Sequence, residues 1–302
     1  MVEKDKTSGF LKEILPKIKK YYRWLFQNRD PDKDGLISII SPYESGLDYK
    51  PAYDEVLEVS KQSRLSIFFA PRILEIRNLA TGHSLDKIFS QDYFNVEDVL
   101  VNVVLAQSLW ALSELCWRNK EQEEGDQFEK LAKNVEMAIL TRCRGEDGMF
   151  YDLYSKNEVM AKVKTFTSLM PLLLRTIDKK TADDLVENHL LNPKEFWLPY
   201  PVPSVAKSEP SFKPGIGPLW RGPTWINANW FIVLGLLQHG YHQVAQEIVE
   251  KSCALVQKAG FREYYNPLTG EGYGAQDFGW STLVIDMIEL VEHAKSRKTN
   301  PH

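Results

Sequence analysis

Apolar residues recur at three- and four-residue steps through most of this 302-residue chain. That spacing commits it to helices, because strands would need alternation with a period of two. Phe10, Leu11, Ile14, Leu15, Ile18, Tyr21, Tyr22 and Leu25 fall on one helical face. Comparable patterns run through residues 94–118, 123–141, 165–177, 180–190, 223–239, 241–258 and 278–295, and the reading is of about nine helices. Pro223 sits in the first turn of one of them and Gly240 closes it, a favoured start and a favoured stop. Strand-like alternation appears only in isolated short pieces.

The connections are unequal. His239-Gly240-Tyr241 is tight, whereas 29–53, 142–164, 191–222 and 260–279 are long and rich in Pro, Gly and aromatic residues. Long loops in a compact domain are commonly functional. Helices joined alternately by short and long loops describe stacked helical hairpins, with the long loops gathered at one end. No repeat of fixed period and no linker stands out, so residues 1–302 read as a single domain and a regular solenoid is disfavoured.

Composition narrows the function. A hydrophobic share of 43% supports a sizeable core, and 37 basic against 41 acidic side chains leave a net charge of −4. That balance argues against nucleic acid or an anionic membrane as partner, since both reward clustered Lys and Arg. Cys116, Cys143 and Cys253 are odd in number and widely spaced, which favours a reducing compartment. The N-terminus lacks an apolar signal core and no apolar run reads as long enough to span a bilayer, so the expectation is a cytoplasmic protein.

Three segments carry groups suited to chemistry. Ser41-Pro-Tyr-Glu-Ser-Gly-Leu-Asp-Tyr-Lys-Pro51 puts two carboxylates in a loop with aromatic neighbours. Such neighbours can desolvate a carboxyl and raise its pKa, as a general acid needs; the plain alternative is a surface loop capping a helix. Gly217-Pro-Leu-Trp-Arg-Gly-Pro-Thr-Trp-Ile-Asn-Ala-Asn-Trp230 offers Trp220 and Trp225 for stacking on a sugar ring, and Arg221, Asn227 and Asn229 for its hydroxyls. The alternative is that the Trp residues are core at helical spacing, the reading preferred for Trp230. Phe261-Arg-Glu-Tyr-Tyr-Asn-Pro-Leu-Thr-Gly-Glu-Gly272, followed by Gly274-Ala-Gln-Asp-Phe-Gly-Trp280, holds Glu263 beside two Tyr, either as a general base or as a structural carboxylate. Its Gly-rich middle lacks the order of a phosphate loop. Asp30-Pro-Asp-Lys-Asp-Gly35 imitates the opening of a calcium loop, but Ser41 stands where a bidentate Glu is needed. Asp30, Asp32 and Asp34 therefore read as turn residues, with a cation site of another kind as the alternative, and no catalytic metal is expected.

Taken in order, these segments resemble glycoside hydrolase family 63, including its mannosylglycerate and glucosylglycerate hydrolase-like and mannosyl-oligosaccharide glucosidase-like members. The trehalases of family 37 are more distant. The resemblance rests on Asp30-Pro-Asp-Lys-Asp-Gly-Leu36 with Pro42-Tyr-Glu-Ser-Gly-Leu-Asp48, on Trp220-Arg-Gly-Pro-Thr-Trp-Ile-Asn227, on Glu263-Tyr-Tyr-Asn-Pro-Leu-Thr-Gly-Glu-Gly272, and on Gln276-Asp-Phe-Gly-Trp280. Tyr200-Pro-Val-Pro-Ser204 also has a family look.

The resemblance implies an all-α, (α/α)6 toroid of helical hairpins. It implies hydrolysis of α-linked glucosides or mannosides with inversion, no cofactor, and a small carbohydrate as the only ligand class. Asp48 is the implied general acid and Glu263 the implied general base. Tyr43, Glu44, Gly46, Trp220, Arg221, Trp225, Asn227, Tyr264, Gln276 and Trp280 are the implied sugar-binding residues. Three departures stand out: Tyr43 and Tyr49 replace the usual Trp and Asn near the acid, and Lys50 replaces a small residue, which would alter the leaving-group subsite. The family barrel has more helices than are counted here, so the first few are expected to be missing. A homo-oligomer or partner chain would then complete the barrel, or the chain would be a carbohydrate-binding helical barrel without catalysis.

Overall fold

The structure, a computed structural model, describes residues 9–59, 64–217 and 219–299. Pro218 of the Trp-rich segment lies outside the described residues. The helices are α1 (Gly9–Asn28), α2 (Arg64–Ala80), α3 (Leu85–Gln91), α4 (Val99–Arg118), α5 (Gln122–Arg142), α6 (Lys179–Asp184), α7 (Ile226–Gln238), α8 (His242–Ala259) and α9 (Leu283–Thr299).

Two helical hairpins form the centre. α4 and α5 pack along their lengths, and α7 packs on α8, with α9 against both. α4 starts where Asp98 caps it, its Oδ1 accepting the Val101 N–H at 3.0 Å. Its Val103, Ala106, Leu109 and Cys116 are wholly buried, as are Phe128, Ala132, Val135 and Ile139 of α5. By length and composition α4 could cross a bilayer. The expectation that no segment qualifies is corrected on that count: Asn102, Gln107 and Ser113 interrupt the apolar run in sequence. Most of α4 lies in the protein core.

The short connections, 119–121 and 239–241, lie at one end of these hairpins, and the long ones meet at the other. There the backbone is knitted by short ladders that periodicity did not reveal. β1 (Val96–Glu97), β2 (Leu153–Tyr154) and β3 (Val159–Met160) form an antiparallel sheet, which Ile39 extends by bridging Val96. β4 (Arg262–Tyr265) pairs with β5 (Gly272–Gln276), and Thr224 bridges both Pro203 and Tyr265. This last bridge explains one correction. The helix expected from residue 223 begins at Ile226, because the Thr224 N–H donates to the Tyr265 carbonyl at 2.8 Å and the Tyr265 N–H returns the bond at 2.9 Å.

Other boundaries shift as well. Residues 166–173 form a 3-10 helix containing Pro171, and 185–190 continue α6 as a π-helix. α2 and α3 were not anticipated. In α2, Pro71 and apolar residues on several sides obscure the pattern, and Leu65, Phe69, Ile73, Ile76 and Leu79 are exposed.

Candidate active site

Asp48 lies in a turn between two buried residues. The Lys50 N–H donates to the Leu47 carbonyl at 3.0 Å, and Leu47 and Lys50 are both buried. Tyr49 occupies the third position with φ of 66°, in the left-handed region that a bulky side chain disfavours. Its ring meets Phe68 of α2 edge-on, 5.2 Å between centroids. Upstream, a 3-10 turn over Pro42–Ser45 ends at Gly46 in the left-handed conformation, φ 69°. No atom lies within 4 Å of where a Cβ at Gly46 would stand, so the glycine is there for its backbone. Asp48 is half-buried, and burial pushes its carboxyl above the usual range, offset in part by a backbone hydrogen bond. A carboxyl raised in this way keeps its proton longer, as a general acid must.

Glu263 sits in β4 at an irregularity. Arg262 pairs with Gln276 but Tyr264 pairs with Tyr273, so Gly274 and Ala275 together face Glu263. Gly274 has φ of 68°, the left-handed glycine of a bulge that turns the opposing side chain. The Ala275 N–H donates to Glu263 Oε2 at 3.0 Å. A Cβ on Gly274 would lie 2.3 Å from that oxygen. The carboxylate is thus half-buried, hydrogen-bonded to backbone and fitted against a glycine.

The segment between these two carboxyl groups ties them together. Arg221 is buried and grips Asp54 with both guanidinium prongs, Nη1 to Oδ2 at 2.8 Å and Nη2 to Oδ1. Asp54 belongs to the chain that follows the acid turn, and Thr224 bridges to Tyr265 of β4. The loop carrying Asp48 is therefore fastened to the strand carrying Glu263 through residues 221–225.

Several expected sugar contacts are committed elsewhere. Trp220 and Trp225 are 3% and 2% exposed and stack on one another, 4.0 Å apart at 13°. Phe166 covers the far face of this pair at Trp220, and Tyr264, itself buried, covers it at Trp225. Four aromatic rings in a column leave no face for a sugar, so the core reading belongs to Trp220 and Trp225. Trp230, expected as core, is only half-buried and bonds Asp286 through its indole N–H. Arg221 is held by Asp54. Asn229 is saturated by the Val202 N–H, the Pro201 carbonyl and Ser252. Glu44 pairs with Arg29 and accepts the Ile40 N–H at 2.8 Å. Lys50 is buried on two aspartates, so it does not line a leaving-group subsite. The groups left accessible are Tyr43, Gln276 and Trp280, all exposed, and Asn227, half-buried in the first turn of α7.

Asp54 and Gly274 escaped the sequence reading as site-forming residues, and Lys50, expected to alter the leaving-group subsite, is instead paired with Asp98 and Asp152. A third acidic residue six positions past Asp48, and a glycine facing Glu263 across a short hairpin, were the available signals. Glu75 of α2 also touches the acid loop, accepting from Ser41 Oγ.

Asp30, Asp32 and Asp34 bring carboxylate oxygens within 4.8 Å of one another, the one spacing suited to a cation among the described residues. Asp30 and Asp34 accept backbone N–H groups of residues 34 and 36, as turn formers do, and Asp34 Oδ2 lies 2.7 Å from Arg142 Nε. A groove of about 840 Å³ runs between Leu140–Gly148 and Lys180–Asn188. It is lined by Arg144, Lys180, Asp183 and Asp184 among others and contains none of the candidate residues, so the carboxylates, not cavity size, define the site.

Residues 1–281 match the mannosylglycerate hydrolase MGH1-like glycoside hydrolase domain. A mannosylglycerate hydrolase of Thermus thermophilus is 31% identical, over 93% of this chain and 71% of its own length. The solved structure of a glycoside hydrolase family 63 mannosylglycerate hydrolase, also from Thermus thermophilus and in complex with Tris and D-glycerate, superposes with a TM-score of 0.82 at 28% identity, covering 94% of this chain and 71% of that one. The neutral trehalase of Saccharomyces cerevisiae shares the fold more distantly, with a TM-score of 0.52 at 18% identity over 67% of this chain and 39% of its own. The helix-rich architecture is consistent with an (α/α)6-type fold.

Proposed function

The chain belongs to the mannosylglycerate hydrolase MGH1-like glycoside hydrolase family, and from that premise we propose that it hydrolyses a small α-linked glucoside or mannoside with inversion. Asp48 protonates the departing oxygen, and Glu263 holds the attacking water on the opposite face of the sugar. A glycosylglycerate is the substrate class that its relatives' names suggest.

The observation that carries the reading is the contrast between the two carboxyl groups. Asp48 is half-buried and shifted toward its protonated form by burial. Glu263 accepts the Ala275 N–H at 3.0 Å and is fitted against Gly274, which fixes where its carboxylate stands. A carboxyl that keeps its proton and a second one fixed in place to hold water are the two parts that inversion requires. The oxocarbenium-like transition state also needs a site where water is restricted, and Trp280, Tyr43 and Gln276 are the exposed groups available to line it.

The test is release of monosaccharide from mannosylglycerate, glucosylglycerate and a panel of α-glucosides and α-mannosides. Asp48→Asn and Glu263→Gln should each lower kcat at least about 1,000-fold while the fold survives. Turnover by Asp48→Asn at the wild-type rate would remove Asp48 as the acid.

One observation favours a second reading. The outer stripe of α2 exposes Leu65, Phe69, Ile73, Ile76 and Leu79, an apolar face of the kind that another layer normally covers. Under this reading the chain binds carbohydrate but hydrolyses it only when further helices cover α2. Sugar binding without turnover by the 302-residue chain, with turnover gained in a larger assembly, would favour it.

A further inference from the structure

Lys50 stands two residues beyond Asp48 and turns into the protein interior. It is 2% exposed, with its ammonium 2.8 Å from Asp98 Oδ2 and 2.6 Å from Asp152 Oδ2. Both carboxylates also hold the start of α4. Asp98 Oδ1 accepts the Val101 N–H at 3.0 Å, and Asp152 Oδ1 accepts the Val99 N–H at 2.9 Å. The Tyr53 hydroxyl donates to the same Asp98 oxygen at 2.5 Å and lies 3.0 Å from Ser45 Oγ. One buried cluster therefore anchors the acid loop at residues 45, 50 and 53, on both sides of Asp48.

Such a cluster is costly to bury, because three charges lose their water. The attraction of one ammonium to two carboxylates, with the backbone N–H groups those carboxylates accept, offsets that cost. Two facing carboxylates keep the Lys50 ammonium charged, and burial beside Asp98 pushes the Asp152 carboxyl up. The turn from Leu47 to Lys50 shows what the anchoring accomplishes. Both ends of the turn are buried, its closing hydrogen bond comes from the Lys50 N–H, and Tyr49 is held left-handed against its preference. A small residue at position 50 would leave that end of the turn with no side chain reaching α4.

We infer that Lys50 is the positioning residue for the general acid: pinned between Asp98 and Asp152, it locks the Leu47–Lys50 turn so that the Asp48 carboxyl is presented at one place. The inference rests on the reading of Asp48 as the acid. Lys50 acts through the backbone of the turn, so its loss should harm proton delivery more than sugar binding.

That consequence depends on the leaving group, which separates positioning from general damage. An alkoxide leaves only with a proton supplied, whereas fluoride departs from a glycosyl fluoride with little help from an acid. The experiment compares the wild type with Lys50→Met on the best O-glycoside of the panel and on the matching α-glycosyl fluoride. The variant should lose about 100-fold in kcat on the O-glycoside, as misplaced catalytic groups do, with KM within about threefold. Its kcat on the fluoride should stay within about threefold. Should Lys50→Met not fold, Asp152→Asn keeps Lys50 paired with Asp98 and preserves side-chain size. It should show the same selectivity at about 10-fold.

Equal losses on both substrates, or no loss on the O-glycoside, would overturn the inference. A wild type that cleaves neither substrate removes the glycosidase reading and this inference with it. A wild type that cleaves both, with the ratio unchanged in the variants, removes the inference alone.

Discussion

Gly274 lies so close to Glu263 that a single methyl group on it would stand 2.3 Å from the carboxylate oxygen and 2.7 Å from the Glu263 Cβ. The contact arises because the β4–β5 hairpin sets two residues against one at this point, and only glycine takes the φ of 68° found there without strain. Gly274→Ala should therefore move Glu263 from its place. The expected result is a fall in kcat of about 100-fold or more, with the far-ultraviolet circular dichroism unchanged. Wild-type kcat in this variant would show that the bulge does not place the base.

The pairing of Arg221 with Asp54 makes a second prediction. A guanidinium meets a carboxylate in two parallel bonds, which an ammonium cannot reproduce. Arg221→Lys should lose about 10-fold or more in kcat/KM and lower Tm, because the acid loop loses its fastening to the Trp220–Trp225 segment. Asp54→Asn should show a similar loss. The double variant should be no worse than either single one, a coupling that a double-mutant cycle measures.

The aromatic residues divide by burial. Trp220→Ala opens the stacked column in the core and should cost about 3–5 kcal/mol of stability. Trp280, 47% exposed, should be dispensable for folding. Trp280→Ala is expected to raise KM several-fold at unchanged Tm, as loss of a sugar-facing ring would. Thermal melts with kinetics on the same preparations separate the two.

Much of this division was not legible in the sequence, and the reasons are physical. The α4–α5 and α7–α8 hairpins were readable because long amphipathic or buried helices repeat their pattern many times. β1, β2 and β3 are two residues each, too short to display alternation. α2 was hidden by Pro71 and by apolar residues on its outer face. At the site, residue types located the acid and base loops, but not which faces were already occupied. Trp220 and Trp225 present the chemistry of a sugar platform in sequence, yet each uses the other as its partner. Arg221 looks like a free cation until Asp54 is placed beside it, 167 residues away in the chain.

Tyr49 offers a gain in stability. A non-glycine residue in the left-handed region costs about 1–2 kcal/mol, and asparagine tolerates it better than tyrosine. The edge contact with Phe68 offsets about 0.5–1.5 kcal/mol of that. Tyr49→Asn should raise Tm by about 1–2 °C. A fall of several degrees would mean that the ring contact outweighs the backbone strain.

Stability should also fall as pH rises through neutrality. Glu97 is 5% exposed, and burial, with Asp34 and Asp32 nearby, raises its carboxyl to about 8. The folded state then binds a proton that the unfolded state releases near its ordinary value of 4.5. Stability from this group is full below the unfolded value and is lost progressively as pH climbs toward about 8. Tm should decline over that window, and Glu97→Gln should flatten the decline. An equal slope in the variant would locate the titration elsewhere.

The most direct test of the account is the configuration of the sugar first released. Proton NMR of the wild-type reaction on an α-linked substrate, recorded before mutarotation, should show the β-anomer forming ahead of the α-anomer, and no sugar released by Asp48→Asn. The α-anomer appearing first, or release by Asp48→Asn at the wild-type rate, would contradict the acid–base pair assigned to Asp48 and Glu263.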